Sequence, residues 1–383
     1  MKILYDHQIF TIQKYGGISR YFIQIISNLP PNVKAEIAIK YSNNEYLKNA
    51  ELANNTNSLF QPIDKFLHGI KFPGKKRLFE YIRRNNPANY PDAYALNKDL
   101  TIELLKKQDF DIFHPTYYDD YFLDYIGEKP FVLTIHDMIH EIYPEMLNDP
   151  ETVKRKSILA QRAAHIIAVS ENTKKDIIEI LKVPESKISV IYHANSLNEE
   201  TLTKLDLPEK YLLFVGERWS YKNFVFFINS IAQLLKENRD IYVICTGRNF
   251  DSNEKKHFLF LDIEGQIKSM SVSDEGLIYL YQNAIAFIFP SYYEGFGIPI
   301  LEAFTMSCPV ILSQNSCFPE IARDAALYFN PKIGSSINDA INEIISNSQL
   351  RNLLIQKGKE HGKTFSWKSS ASKTVFVYEK ILE

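Results

Sequence analysis

The chain has no surplus of either charge. Its 44 lysines and arginines face 46 aspartates and glutamates, for a net charge of -2, so nothing in the balance points to nucleic acid. Cysteine is scarce. Cys245, Cys308 and Cys317 show no metal-like spacing, and Cys245 sits in an apolar run. That predicts buried thiols in a reducing compartment and argues against a disulfide framework. No stretch approaches the roughly 18 consecutive apolar residues that a membrane span requires. The opening Met1-Lys-Ile-Leu-Tyr-Asp6 turns polar too soon for a secretory signal, so a cytoplasmic protein is expected.

What is present is enough apolar residue, 45% of 383, to bury real cores in two or three domains. Lys2 to Tyr5 reads as a strand. After Tyr15-Gly-Gly-Ile18, apolar residues at 18, 21, 22, 25, 26 and 29 mark an amphipathic helix that Pro30-Pro31 stops. Ala35 to Ile39 is a second strand, completing a βαβ unit and implying a parallel sheet. Strand-like runs return at Phe110-Asp-Ile-Phe-His114, Phe131-Val-Leu-Thr-Ile-His136, 166–169 and 187–192. A helix over 151–164 and another capped by Ser170 lie among them. The polar segment from Asn195 to Lys210 reads as a linker. Beyond it the rhythm restarts with strands at 211–215, 241–245, 284–289, 309–312 and 326–329. The expected organisation is therefore residues 1–195, then 196–365, then a last helix within 366–383 that packs back onto the first half. Two α/β halves in tandem place the ligand site in the cleft between them.

The richest stretch is Ser291-Tyr-Tyr-Glu-Gly-Phe-Gly-Ile-Pro-Ile-Leu-Glu302. A strand leads into a glycine loop and then a helix, a geometry that frees backbone N–H groups and a helix N-terminus toward a ligand. Glu294 and Glu302 are placed to hold two parts of one polyhydroxylated molecule. Gly216-Glu-Arg-Trp-Ser-Tyr-Lys222 also opens a helix after a strand, and Arg218 with Lys222 suits a diphosphate. Gly16 and Gly17 open a helix in the other half and can approach the same phosphates. His136-Asp-Met-Ile-His140 has the i, i+4 spacing of a metal pair. It begins at a strand end, however, and shows no third ligand. His136 alone projecting into the cleft, or a core histidine, are the readings that remain. Asp109-Phe-Asp111 precedes its strand, so its carboxylates fall on the face away from the cleft and read as a cap. His114-Pro-Thr-Tyr-Tyr118 ends a strand on the cleft side, making His114, Tyr117 and Tyr118 acceptor-side candidates. Between 65 and 84, Lys65, Lys71, Lys75, Lys76, Arg77, Arg83 and Arg84 cluster with four aromatics against Glu80 alone. That composition fits an anionic membrane surface or a solvated insertion.

Taken together, these motifs resemble the retaining nucleotide-sugar glycosyltransferases of family four. The resemblance runs nearly end to end. Its strongest marker is the E-x7-E signature from Glu294 to Glu302 with Glu-Gly-Phe-Gly intact. Gly16-Gly17, Thr134-Ile-His136-Asp137 and Gly216…Arg218…Lys222-Asn223 support it. Ile3-Leu-Tyr-Asp-His with Gly16-Gly-Ile-Ser-Arg-Tyr21 looks like members that build bacterial surface polysaccharides such as lipopolysaccharide and capsule.

The resemblance implies the GT-B fold, an α/β architecture of two Rossmann-like domains facing a central cleft, with the donor held by the second domain. It puts sugar hydroxyls on Glu294, sugar and phosphate on the backbone of Gly295, Phe296 and Gly297, ribose on Glu302, and diphosphate on Lys222 and Arg218. His136 would sit beside the sugar at the reacting centre. No metal or other cofactor is then required. The expected function is a mannosyltransferase-like hexosyl transfer from a nucleoside-diphosphate sugar to a growing, lipid-linked glycan, on the inner face of the membrane. The alternatives are a sugar-nucleotide epimerase or hydrolase of the same architecture, and a non-catalytic donor-binding subunit.

Overall fold

The computed structural model describes residues 1–50, 66–67, 70, 72–86, 92–200, 203–218 and 220–383. Lys65 and Lys71 of the basic stretch lie outside the described residues. Among the described residues all ladders are parallel. In the first half β1 (Lys2–Tyr5) lies between β2 (Lys34–Ile37) and β3 (Ile112–His114), and β5 (His165–Ala168) lies between β4 (Val132–Ile135) and β6 (Ile188–Val190). A parallel bridge, Phe113 to Phe131, joins the two ladders edge to edge.

In the second half β7 (Lys210–Phe214), β8 (Ile241–Thr246), β9 (Ile267–Met270), β10 (Ala286–Phe289), β11 (Val310–Ser313) and β12 (Leu327–Phe329) form one sheet. Their order is β12-β11-β10-β7-β8-β9. Counted within this half, that is the doubly wound 3-2-1-4-5-6 order read from the far edge, with its switch point between β7 and β10.

Near-continuous apolar strands require cover on both faces. The helices Phe224–Glu237 and Gly334–Ser346 bury Phe227, Ile231, Ile337 and Ile341 on one face of the second sheet. The Ile298–Thr305 helix buries Ile300, Leu301 and Phe304 on the other. In the first half the Gly17–Ser27 helix has the periodicity read from the sequence and buries Tyr21, Phe22, Ile25 and Ile26. Strand β9, which periodicity missed, is an edge strand with only Ile267 buried, so its side chains carry little apolar signal.

The final helix, Trp367–Leu382, contacts the Gly17–Ser27 helix and joins the first half's core through Trp367, Ala371, Val375 and Tyr378. Its Tyr378 hydroxyl lies 2.6 Å from His114 Nδ1 and 2.9 Å from the Tyr5 hydroxyl, and His114 Nε2 lies 2.9 Å from Thr134 Oγ1. This buried chain ties the last helix to β1, β3 and β4. A buried polar group left without a partner costs about 1–3 kcal/mol. Tyr378→Phe should therefore lower stability by roughly that much, read as a fall in the thermal or urea midpoint. An unchanged midpoint would show that the chain carries no weight.

Candidate active site

The EGFG loop follows β10. Gly297 has φ 87°, the left-handed region, and caps the Ile298–Thr305 helix. A Cβ there would also press on Ile300, Phe289 and Phe318 at 3.1–3.4 Å, so glycine is required twice over. Gly295 meets a harder limit. A Cβ on it would fall on the backbone carbonyl oxygen of His136, from the other half of the chain. The carbonyl of Gly295 accepts hydrogen bonds from Ser170 Oγ at 2.7 Å and Thr173 Oγ1 at 3.2 Å, both also from the first half. Phe296 is buried against the His193 ring, centroids 4.8 Å apart.

Two carboxylates flank this loop, and each is held by a cation. Lys222 ends a 3-10 turn before the Phe224–Glu237 helix, and its Nζ lies 2.5 Å from Glu294 Oε1. Ser316 Oγ holds the backbone of Glu294 from both sides, accepting from its N–H and donating to its carbonyl. Glu302 is 4% exposed. Its partner comes from the opposite half: Arg20 Nη1 lies 2.8 Å from Glu302 Oε1, and the Tyr281 hydroxyl donates to Oε2 at 3.1 Å. Arg20 also reaches Tyr46 and Asp274. Burial pushes the Glu302 carboxyl up, and Arg20 works against it.

Gly16 and Gly17 open the helix that carries Arg20, so that helix's first turn faces the second half. A Cβ at Gly17 would meet open space, whereas one at Gly16 would strike the Gln13 side chain, which accepts from Ser19 N–H. His136 is buried with its ring edge-on to Tyr21, and its Nε2 has no partner among the described residues. Burial, with smaller contributions from His114 and Lys156, pushes its pKa down to about 3, so the imidazole is neutral. Lys156, fully buried beside Glu141 at 3.0 Å, donates to the Asp137 carbonyl and fixes the turn after His136.

Two expectations are corrected. Arg218 is already engaged through two of its nitrogens, and its buried Nη1 has no partner among the described residues. Its side chain is fully buried against Phe250 and Phe224, with Nε 2.7 Å from Glu254 Oε1 and Nη2 donating to the Arg248 carbonyl. His114 and Tyr118 do not present a face to a glycan. His114 is consumed in the Tyr378 network, and the buried Tyr118 accepts the His136 N–H through its hydroxyl. Tyr117 is half-buried against both cores of the first half. The acid pair Asp109 and Asp111 is held by Lys2 at the start of β1, away from the strand ends that carry the loop. His140 sits on the short Ile139–Ile142 helix, apart from the strand end that carries His136. Among the described residues no group of three or more His, Cys, Asp or Glu is placed to hold a metal ion.

Sequence reasoning missed Arg20, Ser170, Thr173, Tyr281 and Ser316 as site residues. Arg20 had a signal: it lies one turn inside a glycine-opened helix, the position from which a long cation reaches across a cleft.

Removing one partner of a buried ion pair leaves an uncompensated charge and costs about 3–5 kcal/mol. Arg20→Ala should therefore destabilise strongly, while the double variant Arg20→Ala with Glu302→Gln recovers much of the loss. Additive losses across that cycle would show that the two side chains do not interact. Gly295→Ala should force the halves apart, because a backbone carbonyl cannot give way as a flexible side chain can. Small-angle scattering should show an increased radius of gyration. An unchanged radius and melting midpoint would refute the contact.

A model described as Glycosyltransferase Family 4 matches residues 15–198, and one described as Glycosyl transferases group 1 matches 198–361. The chain is 31% identical over 216 residues to the O-antigen chain mannosyltransferase RfbU of Salmonella typhimurium, a match that spans 60% of that relative's length. It is 30% identical over 265 residues to the O-antigen chain mannosyltransferase B of Escherichia coli, covering 65% of this chain and 70% of the relative. It is also 30% identical over 220 residues to a GDP-mannose:cellobiosyl-diphosphopolyprenol alpha-mannosyltransferase of Xanthomonas oryzae, with 57% of that relative covered. Among solved structures, Anabaena Alr3699/HepE in complex with UDP and glucose superposes with a TM-score of 0.73 at 15% identity, covering 99% of this chain and 100% of that one. The two opposed Rossmann-like halves are thus the GT-B fold, and the chain belongs to the family-four glycosyltransferases.

Proposed function

We propose that this protein transfers mannose from GDP-mannose to a growing, lipid-linked surface glycan, with retention of anomeric configuration and without a metal ion. The observation that carries the reading is the pairing of Lys222 with Glu294 beside Gly295 and His136, where the two halves meet. One cation suited to a phosphate and one carboxylate suited to hydroxyls stand together at a glycine loop that opens a helix. The mannosyltransferase names of the relatives support the sugar, and the diphosphopolyprenol of one supports a lipid-linked acceptor.

In this reading the bond from the anomeric carbon to the diphosphate breaks and its electron pair leaves with the diphosphate. Lys222 and the N-termini of the Ile298–Thr305 and Gly17–Ser27 helices offset that charge. The acceptor hydroxyl bonds to the same face of the anomeric carbon, and its proton passes to the departing phosphate oxygen. Glu294 and Glu302 hold sugar and ribose hydroxyls and move no proton. His136, neutral throughout the working range, steadies the sugar through its ring or carbonyl. The basic Lys75–Asn85 helix, with Leu78 and Tyr81 exposed, would bring the chain to an anionic lipid surface. Among the described residues no helix is long and apolar enough to cross a membrane.

Removing one preorganised charge-stabilising donor costs about 10²–10³ in kcat. Lys222→Ala and Glu294→Ala should each lower transfer of labelled mannose to a membrane-lipid extract by at least about a hundredfold. The wild-type rate should survive EDTA, and NMR of the product should show the α-anomer. Restoration of an EDTA-killed rate by Mn²⁺ would sink the metal-free mechanism, and a β-anomer would sink retention. Donor turnover with no glycan product would favour the epimerase or hydrolase reading.

A further inference from the structure

A cavity of about 430 Å³ opens between the halves, next to the EGFG loop and outside the residues assigned above to the donor. The first half contributes Tyr143 and, from the helix after β5, Asn172. The second contributes Tyr292 and the Gln314-Asn-Ser316 loop after β11. It is contiguous with the reaction centre through the backbone. Tyr292 lies two residues before Glu294, and Ser316, in the cavity wall, holds both backbone groups of Glu294. The Tyr292 N–H is fixed in turn by the Tyr221 carbonyl, immediately before Lys222.

The lining says what it suits. Tyr143 and Tyr292 offer ring faces, and neither hydroxyl has a partner among the described residues. Asn315 donates its amide to the Tyr292 carbonyl while its Oδ1 is buried without a partner among the described residues. Side-chain amides and tyrosines of this kind match a ligand rich in hydroxyls and C–H faces. A phosphate or nucleotide is disfavoured. Lys332 and Asp176 both line the cavity, so its charges balance, and the nearby start of the Glu171–Leu181 helix is not open. It is closed by Glu320, which accepts from the N–H groups of Glu171 and Asn172. The volume lies within the range of ordinary ligand sites, about 300–1,000 Å³.

We propose that this cavity is a glycan subsite, holding sugar units of the acceptor remote from the reacting hydroxyl. The proposal rests on the glycosyl-transfer reading but locates a second ligand on Tyr143, Asn172, Tyr292 and Gln314, which that reading assigns no donor group. Because both halves line it, an acceptor chain bound there also holds the cleft closed, coupling acceptor occupancy to assembly of the donor site.

The test is hydrogen–deuterium exchange of the intact chain with α-mannotriose, maltotriose and chitotriose, alongside GDP-induced thermal shift. The expected result is protection by at least one trisaccharide over 142–143, 172–176, 292–293 and 314–316. Tyr143→Ala and Gln314→Ala should raise the half-saturating trisaccharide concentration by about five- to tenfold and leave the GDP shift unchanged. Protection by none of the three, or protection confined to the Gly16 to Arg20 turn, overturns the subsite even where GDP binds. A chain that binds no nucleotide sugar while the trisaccharide protection persists overturns the donor reading and leaves the subsite standing.

Discussion

The structure depends on a side chain that is not there. Gly295 lets the EGFG loop lie against the His136 carbonyl, and a methyl group at that position would occupy the same space as the oxygen. Once the loop is seated, Ser170 and Thr173 of the first half can donate to the Gly295 carbonyl. Glu320 of the second half can accept the free N–H groups that open the Glu171–Leu181 helix, at 2.7 and 3.0 Å. Each contact satisfies a backbone group that would otherwise be stranded at the interface. The halves therefore meet through backbone geometry, and the charged side chains are arranged around that fixed point.

The charged groups follow one rule. Glu302 is buried and Glu294 partly buried, and each is matched by a cation, Arg20 and Lys222 respectively. Arg20 does so from across the cleft. That makes the Arg20–Glu302 pair a bond between halves as well as within a site. Under the proposed reading, ribose and sugar hydroxyls compete with these cations for the carboxylates. Lys222, once released from Glu294, is then free for the diphosphate. The exchange trades one set of charge-assisted hydrogen bonds for another and avoids stripping a buried charge bare.

How much of this was legible in the sequence depends on range. Local patterns were readable. The apolar runs of β7, β8 and β10 and the i, i+3, i+4 spacing of the Gly17–Ser27 helix gave the two α/β halves, and the glycine loop with its two glutamates gave one wall of the cleft. The Ala93–Lys107 helix was hidden because few of its positions are buried, so its apolar stripe is weak. Arg218 misled for a different reason. Its place after a glycine turn is right for a phosphate site, but whether a cation faces outward is decided by a carboxylate 36 residues away, Glu254, and by two phenylalanine rings. Spacing along a chain cannot report a partner that arrives through the fold. The same limit hid Ser170 and Ser316, short polar side chains whose targets are backbone atoms of distant loops.

That correction to Arg218 changes how the donor's charge would be met. Arg218 is paired with Glu254, Lys222 with Glu294, and Arg20 with both Glu302 and Asp274 before a ligand enters. A diphosphate brought there would add negative charge beside cations that are already paired, although Arg218 Nη1 is buried without a partner among the described residues. What remains are oriented dipoles: the helix starts after Gly297 and Gly16, and the glycine turns at Gly216 (φ 111°) and Gly247 (φ 105°), whose backbones ordinary residues adopt only with strain. Arg248, close to half exposed and shared among Glu217, Asp251 and Glu254, is the cation with freedom to turn. Fixed dipoles cost no reorganisation when charge appears on the leaving group, whereas a paired lysine must first let go of its partner. Under the proposed reading, backbone dipoles would share in stabilising the leaving group, and Lys222 would join them after the sugar has taken Glu294.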